Sequence, residues 1–394
     1  MADDTYLNQL PAVLIGGPPH SGKSVLIYSL SQALRARGIE HYALRACPDG
    51  EGDWSNEAPQ DLVREIRIKG AWTREWVERI TIDIDRRHLP LLVDIGGRPT
   101  PEQAAMFGHC THAVILTPDR SAQAYWRNLI HEQSLPILAD LASVLHGENL
   151  LVALEPIIEG VLSGLKRGAA AAGPAFDALV ERLVLLFSAA DSGLHTRHLV
   201  TTSPEIELVI DLNRLARTLG WVGQDEKVHW LPDHLSDLLE YLPAATPLAV
   251  YGRGTIWIHA ALARLAYPAA YCSFDIRLGW VRAVPLRIGR PVLSDTLRFT
   301  VSDLADAAVV SGDLPTRYID YSDIEAIVAP AVAPDKGVIL HGKLPYWLYT
   351  SLAIAYDRAP WLAVYQPSLA GAVVVSSSRG QPAVGTTLVL PPIG

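Results

Sequence analysis

The sequence predicts an α/β protein with a parallel sheet, helices on both of its faces, in the N-terminal half, followed by two tandem βαββ modules. Three observations carry this expectation. Apolar runs alternate with amphipathic stretches from residue 12 to about residue 190, the pattern of a parallel sheet covered on both sides. The first run, Ala12-Val13-Leu14-Ile15, leads into Gly17-Pro18-Pro19-His20-Ser21-Gly22-Lys23-Ser24, a G-x-x-x-x-G-K-[ST] phosphate loop with the strand before it that such a loop requires. Residues 249–263 and 339–353 can be laid over each other, about 90 positions apart.

Taken in order, residues 12–15 read as a strand and 24–37 as a helix. Residues 41–45 form a second strand, and 73–87 a helix whose apolar positions recur at three and four. Residues 89–95 read as a buried strand, 113–117 as another and 150–154 as a fifth. The small-residue run 168–173 and a helix at 176–187 close this part, and a link at 189–202 follows. In the second half Gly252 falls on Gly342, Arg253 on Lys343, Trp257 on Trp347 and Leu262-Ala263 on Leu352-Ala353. The overlay continues with 271–274 on 362–365, so each copy reads strand, glycine turn, amphipathic helix, strand, strand. An internal duplication is the simplest account. The expected domains are 1–195, 203–296 and 297–394.

Composition narrows the function classes. A chain of 394 residues is too long for one ordinary core. It is apolar for a soluble protein, with 49% hydrophobic and 19% charged residues and a mean hydropathy of +0.17. Charges at Glu155, Glu159, Lys166, Arg167, Asp177, Glu181 and Arg182 still interrupt every membrane-length run in that region. We therefore expect no transmembrane helix and no membrane partner, with a homo-oligomer covering the excess apolar surface. The acidic N-terminus shows no secretory pattern, and Cys47, Cys110 and Cys272 lack metal-ligand spacing, which fits a cytoplasmic location. A net charge of −9 opposes bulk electrostatic binding of a long nucleic-acid duplex. A small anionic ligand remains compatible with it.

The phosphate loop supplies the first candidate site. A glycine-rich turn directs backbone N–H groups at a di- or triphosphate, and the helix behind it adds its positive end. Gly17, His20, Ser21, Gly22, Lys23 and Ser24 would bind ATP, with Lys23 on the phosphates and the Ser24 hydroxyl on Mg²⁺. Asp94, ending the run Leu91-Leu92-Val93-Asp94, would complete the metal shell, and Arg98 in the following glycine-rich turn would sense the γ-phosphate. Residues 45–54, Arg-Ala-Cys-Pro-Asp-Gly-Glu-Gly-Asp-Trp, follow the second strand. Asp49, Glu51 and Asp53 there would position an acceptor hydroxyl or a water, or simply form an acidic turn. The basic residues Arg64, Arg67, Lys69, Arg74 and Arg79, interleaved with Trp72 and Trp76, would supply an arginine finger or a stacking surface, or form a solvated helix face.

Each module repeats the anion-binding arrangement of a glycine turn before a helix. Gly252-Arg253-Gly254 adds a guanidinium fork suited to phosphate, and Gly342-Lys343 a point charge. His259 and Tyr349 occupy equivalent places one turn into each helix. His259 reads as an acid–base group or as a satisfied helix histidine. Asp275 and Arg277 lie at a strand-to-strand turn where side chains can converge on a ligand or pair with each other.

These residues resemble a family. Gly252-Arg253-Gly254-x-Ile256-Trp257-x-His259 with Asp275-x-Arg277-Leu278-Gly279, and the second copy's Gly337-Val-Ile-Leu-His-Gly342 with Ala363-Val-Tyr365 and Gly371-Ala-Val-Val-Val375, are similar to the third family of CRISPR-associated ring nucleases. With the phosphate loop and residues 45–55, the whole chain resembles the subgroup fused to an AAA-type ATPase domain. The resemblance covers roughly residues 10 to 120 and 247 to 378. It implies two ring-nuclease-like modules that sandwich cyclic tetra-adenylate, a divalent metal, often Mn²⁺, and Asp275, Arg277 and His259 as catalytic residues. Gly252, Arg253, Gly254, Gly342 and Lys343 would then bind the cyclic oligoadenylate. The family's histidine before the Asp-x-Arg strand falls on Ala266 and Asp357, and in the second copy Asp-x-Arg becomes Gln366 and Ser368, so the second copy reads as mainly structural or as supplying binding contacts. The expected protein is a cytoplasmic, ATP-binding component of type III CRISPR antiviral defence that cleaves this ring. A small-molecule or nucleotide kinase, and a non-cleaving sensor of the ring, are the alternatives.

Overall fold

A computed structural model describes residues 10–46, 73–96, 99–166, 168–191, 193–223, 228–290, 296–315 and 319–390. The chain divides into two compact units, Met1–Thr196 with Ile276–Leu278, and Arg197–Asp275 with Gly279–Gly394.

The first unit is built on a seven-stranded sheet in the order β2-β3-β1-β4-β5-β7-β6. Its strands are β1 (Ala12–Gly16), β2 (Tyr42–Ala46), β3 (Leu91–Ile95), β4 (His112–Thr117), β5 (Ile137–Val144), β6 (Leu150–Ala153) and β7 (Ile158–Ser163). Side chains alternate across a strand, so β1 feeds two cores. Val13 and Ile15 pack under α1 (Lys23–Ala36) and α4 (Pro174–Asp191), against Leu26, Leu30, Leu34, Leu179 and Leu183. Ala12 and Leu14 face the other way, beneath α2 (Arg74–Asp85) and α3 (Arg120–Glu132), against Ile80, Ile84, Trp126 and Ile130. Helices therefore cover both faces, as the alternating pattern predicts.

Three strands differ from the sequence expectation. Residues 150–154 supply not another parallel strand but β6, which runs antiparallel to β7 at the sheet edge. The parallel strand next to β4 is β5, followed by β7. Asp140 interrupts the apolar run of β5 in the sequence, yet its side chain is buried by pairing with Arg127 and by accepting a 3.0 Å hydrogen bond from Gln123, both on α3. A charge that looks like a break in a strand is neutralised by the neighbouring helix.

The second unit repeats one motif. The four-stranded sheet β11-β10-β9-β8 comprises β8 (Leu208–Asp211), β9 (Leu248–Tyr251), β10 (Tyr271–Asp275) and β11 (Gly279–Arg282). α5 (Leu194–Val200), α6 (Leu212–Thr218) and α7 (His234–Tyr241) flank these strands in the chain, and α8 (Ile256–Ala266) joins β9 to β10. A two-stranded parallel sheet pairs β12 (Arg287–Gly289) with β15 (Val328–Pro330). The six-stranded sheet, in the order β13-β14-β16-β17-β18-β19, comprises β13 (Arg298–Asp303), β14 (Ala307–Asp313), β16 (Gly337–Gly342), β17 (Trp361–Gln366), β18 (Gly371–Ser377) and β19 (Thr387–Val389), with α9 (Tyr346–Ala355) between β16 and β17. The order strand, helix, strand, strand recurs in β9-α8-β10-β11 and β16-α9-β17-β18. Each copy also has a parallel strand added beside its first, β8 and β14 respectively, which the overlay of the two sequences does not show.

The copies are joined through their helices. Trp257, Ile258 and Leu262 of α8 and Trp347, Leu348 and Leu352 of α9 lie in one core. Both helices are buried over most of their length, and this weakens the amphipathic pattern that a surface helix shows. Lateral bonds tie the copies as well: Arg264 donates to the Asp357 carbonyl at 3.0 Å, and the Val284 N–H to Ser351 Oγ at 3.1 Å.

Candidate functional site

The first unit places the phosphate-loop residues around a backbone turn. Gly17 is required there by space. A Cβ on it would lie 2.1 Å from the Leu116 carbonyl oxygen, and its φ is +153°. Gly22 and His20 also have positive φ, +90° and +63°. Lys23 Nζ donates to the Gly17 and Pro18 carbonyls at 2.7 and 2.8 Å, which holds the ammonium over the loop. Ser24 Oγ donates to Asp94 Oδ2 at 3.4 Å, because β1 and β3 are neighbours with Ile15 opposite Asp94. On the other side of β3, β2 brings Arg45 opposite Asp94.

The residues fit a nucleotide phosphate. Ser21 Oγ is buried without a hydrogen-bond partner at the centre of this turn, and such atoms are rare unless a water, ion or ligand satisfies them. Ser24 and Asp94 supply two oxygens, the small protein share of a phosphate-bound Mg²⁺ shell. Asp49, Glu51, Asp53 and Arg98 lie outside the described residues. Arg74 pairs with Glu78 at 2.8 Å on an exposed face of α2.

In the second unit the two glycine turns are brought side by side. Gly342 has φ +124°, and a Cβ there would stand 2.1 Å from the Gly312 carbonyl oxygen; Gly252 has φ +95°. Each turn leads into a helix, and the Tyr346 hydroxyl, at the start of α9, donates to the Gly254 carbonyl at 3.0 Å in the turn before α8. The Tyr349 hydroxyl donates to the Gly342 carbonyl in its own copy. Two positive helix ends thus approach each other, with Arg253 and Lys343 exposed in their turns. A site of this kind favours a ligand carrying several negative charges.

His259 is fully buried. Its Nδ1 is 3.0 Å from the Tyr271 hydroxyl, and the Tyr346 ring lies 5.1 Å away. Burial pushes its pKa down to about 4, so the imidazole is neutral at pH 7. Its Nε2 has no partner, and neither have Thr255 Oγ1 and Trp257 Nε1. Three orphaned polar atoms within the first turns of one helix mark a place that polar ligand atoms or water complete. Nε2 lies on the Gly254 side of the ring, 3.3 Å from where a Cβ on Gly254 would stand.

Asp275 closes the β10–β11 ladder opposite Gly279. Arg277 falls in the three-residue turn counted with the first unit, where its Nη1 is 3.8 Å from Asp83 Oδ2. Among the described residues no group of three or more His, Cys, Asp or Glu side chains is placed to hold a metal ion.

Sequence reasoning missed Tyr346, whose neighbour across the copies is 92 positions away. It also missed a cluster at the ends of β14, β16 and β17. There Ser311 Oγ lies 3.1 Å from His341 Nδ1, and the His341 and Tyr365 rings are 4.8 Å apart. Burial lowers the His341 pKa. Only the alignment of His341 with Tyr251 could have drawn attention to it.

The molecule is therefore an α/β protein that combines a glycine-rich turn after β1 with a duplicated pair of glycine turns that lead into helices. Residues 313–389 match the family described as CRISPR-associated protein (Cas_csx3). The matched stretch starts at the last residue of β14 and ends with β19. It coincides with the second copy, the one without Asp-x-Arg. No helix among the described residues is long and apolar enough to cross a membrane.

Proposed function

We propose that the second unit binds cyclic oligoadenylate in CRISPR antiviral defence and cleaves it, and that the first unit binds ATP with Mg²⁺ and couples it to that task. The observation that carries this reading is the pairing of the two glycine turns through Tyr346 and Gly254, which sets two helix N-termini, Arg253 and Lys343 on one pseudo-symmetric platform. A ring of repeating phosphates presents the same charge to both halves at once, whereas a single phosphate needs only one turn. The match of the second copy to a CRISPR-associated family supports the setting. Asp275 and Arg277 are the proposed catalytic pair of the first copy, and His259, neutral at pH 7, faces the turn. When bound, Mg²⁺-ATP would supply phosphoryl-transfer free energy. Lys23 would orient its phosphates, while Ser24 and Asp94 would hold the metal. Self-association would cover the exposed Leu150 and Val152 of the edge strand β6.

The test is to incubate the protein with labelled cyclic tetra-adenylate, with and without ATP, in Mg²⁺ or Mn²⁺, and to resolve every product. Linear oligoadenylate, lost in Asp275→Ala or Arg277→Ala, is the expected result. An intact ring that binds tightly points to a sensor. An intact, unbound ring with a phosphorylated small molecule in place of free phosphate points to a kinase and overturns the reading.

A further inference from the structure

The two copies carry matching pairs of rings at matching positions. In the first copy, Tyr251 ends β9 and Phe274 stands near the end of β10, with ring centroids 4.8 Å apart. In the second, His341 on β16 and Tyr365 on β17 are also 4.8 Å apart. The register makes these true equivalents. Tyr251 is the partner of Asp211 on the added strand β8, and His341 the partner of Ser311 on the added strand β14. Each pair lies immediately before or beside a glycine turn, at the carboxyl ends of parallel strands, where open α/β sheets bind ligands.

What lies on the first pair shows what the position accepts. The His198 imidazole packs against Phe274 at 4.4 Å, tilted by 34°, and its Nδ1 is 3.1 Å from the Tyr251 hydroxyl. The Trp280 indole meets Phe274 edge-on at 5.3 Å and donates to the His198 carbonyl at 2.8 Å. A planar, nitrogen-containing ring from the chain itself is thus packed, at a tilt, over one aromatic ring and hydrogen-bonded to the other. His198 is only 7% exposed there. In the second copy His341, Tyr365 and Ser311 are all partly exposed, and Lys343 stands exposed two residues from His341.

We propose that Ser311, His341 and Tyr365 form a nucleobase-stacking site, in which a purine base takes the place that His198 takes in the first copy. Tyr365 offers the stacking face. His341, its orientation held by Ser311, offers an edge for hydrogen bonding. Lys343 lies where the nucleotide's phosphate would meet the glycine turn. Base stacking on aromatic rings tolerates many sequences and contributes about 1–3 kcal/mol per base. The inference rests on the oligoadenylate reading for its ligand, an adenine base, and gives the second copy a recognition role of its own.

The test compares wild type with Tyr365→Ala, Tyr365→Phe and His341→Ala for binding of cyclic tetra-adenylate, measured by calorimetry at matched urea midpoints. Beside it, adenosine 5′-monophosphate is titrated into wild-type protein while the His341 ring protons are followed by NMR, assigned through His341→Ala. Tyr365→Ala and His341→Ala should each weaken ring binding about tenfold, Tyr365→Phe should leave it within twofold, and the His341 ring protons should shift as a base meets its edge. If wild type binds the ring and both alanine variants bind it equally well, the stacking site is wrong while the oligoadenylate reading stands. A loss in Tyr365→Phe as large as in Tyr365→Ala also overturns stacking. If the ring does not bind but the monophosphate shifts His341, the base site stands and the oligoadenylate reading falls. Absence of both signals overturns both. Should an alanine variant fail to fold, the wild-type shift decides.

Discussion

Lys23 holds its ammonium by donating to two carbonyls of its own loop, 2.7 and 2.8 Å away, so its charge is aimed before any phosphate arrives. Lys23→Ala should weaken ATP binding by at least about thirtyfold, the cost of leaving a charged partner unpaired; a fluorescent-nucleotide titration checks this. His259 makes a prediction about pH. Its folded pKa is lowered to about 4 while the unfolded chain keeps about 6.5, so between these values the unfolded state binds more protons. Stability contributed by the neutral imidazole is then fully present above pH 6.5 and is lost as pH falls toward 4, by roughly 3 kcal/mol in all. Urea midpoints at pH 7 and pH 4.5 should differ more for wild type than for His259→Gln. An equal difference would remove His259 as the cause.

At the scale of elements, the proposed oligoadenylate site depends on the paired helix starts. The Tyr346–Gly254 bond fixes one copy's helix against the other copy's turn. Tyr346→Phe should cost about 1 kcal/mol of stability and weaken oligoadenylate binding more than single-phosphate binding, read in parallel calorimetric titrations. In the first unit β5 depends on a charge pair. Asp140 has a fully buried side chain, whereas Arg127 is partly exposed and also reaches Glu159 at 3.1 Å. Arg127→Ala should destabilise the protein by about 3 kcal/mol, because it strands the buried carboxylate of Asp140. A thermal melt measures that loss. The strands that composition marks plainly, β1, β3 and β4, are legible because each carries an unbroken run of at least three buried apolar residues. β5 was not, because its stabilising partner comes from α3 and the sequence shows only the interruption.

For the whole molecule, the family match and the predicted chemistry fall on different copies. Residues 313–389 carry the match, whereas Asp275 and Arg277 lie in the first copy. The structure accounts for this through one shared core and matching strand registers, so that each copy can diverge at its surface while the common framework persists. The β6 edge, where Leu150 is 52% and Val152 63% exposed, is the natural place for the proposed self-association. Leu150→Lys with Val152→Lys should shift sedimentation toward smaller species without lowering the urea midpoint. Unchanged sedimentation would place any assembly surface elsewhere.

By itself the sequence determined the glycine-rich loop between β1 and α1, the alternation that builds the first sheet and the doubled glycine turns. Each of these is a local pattern: a loop's backbone geometry or a strand's burial is set by residues within a few positions of one another. Tertiary structure alone decided that Ser24 meets Asp94, 70 positions away, that Tyr346 closes on Gly254, and that Ser311, His341 and Tyr365 gather at the carboxyl ends of three neighbouring strands. Those meetings depend on strand order and register, and no short-range pattern of side chains encodes which strand lies beside which.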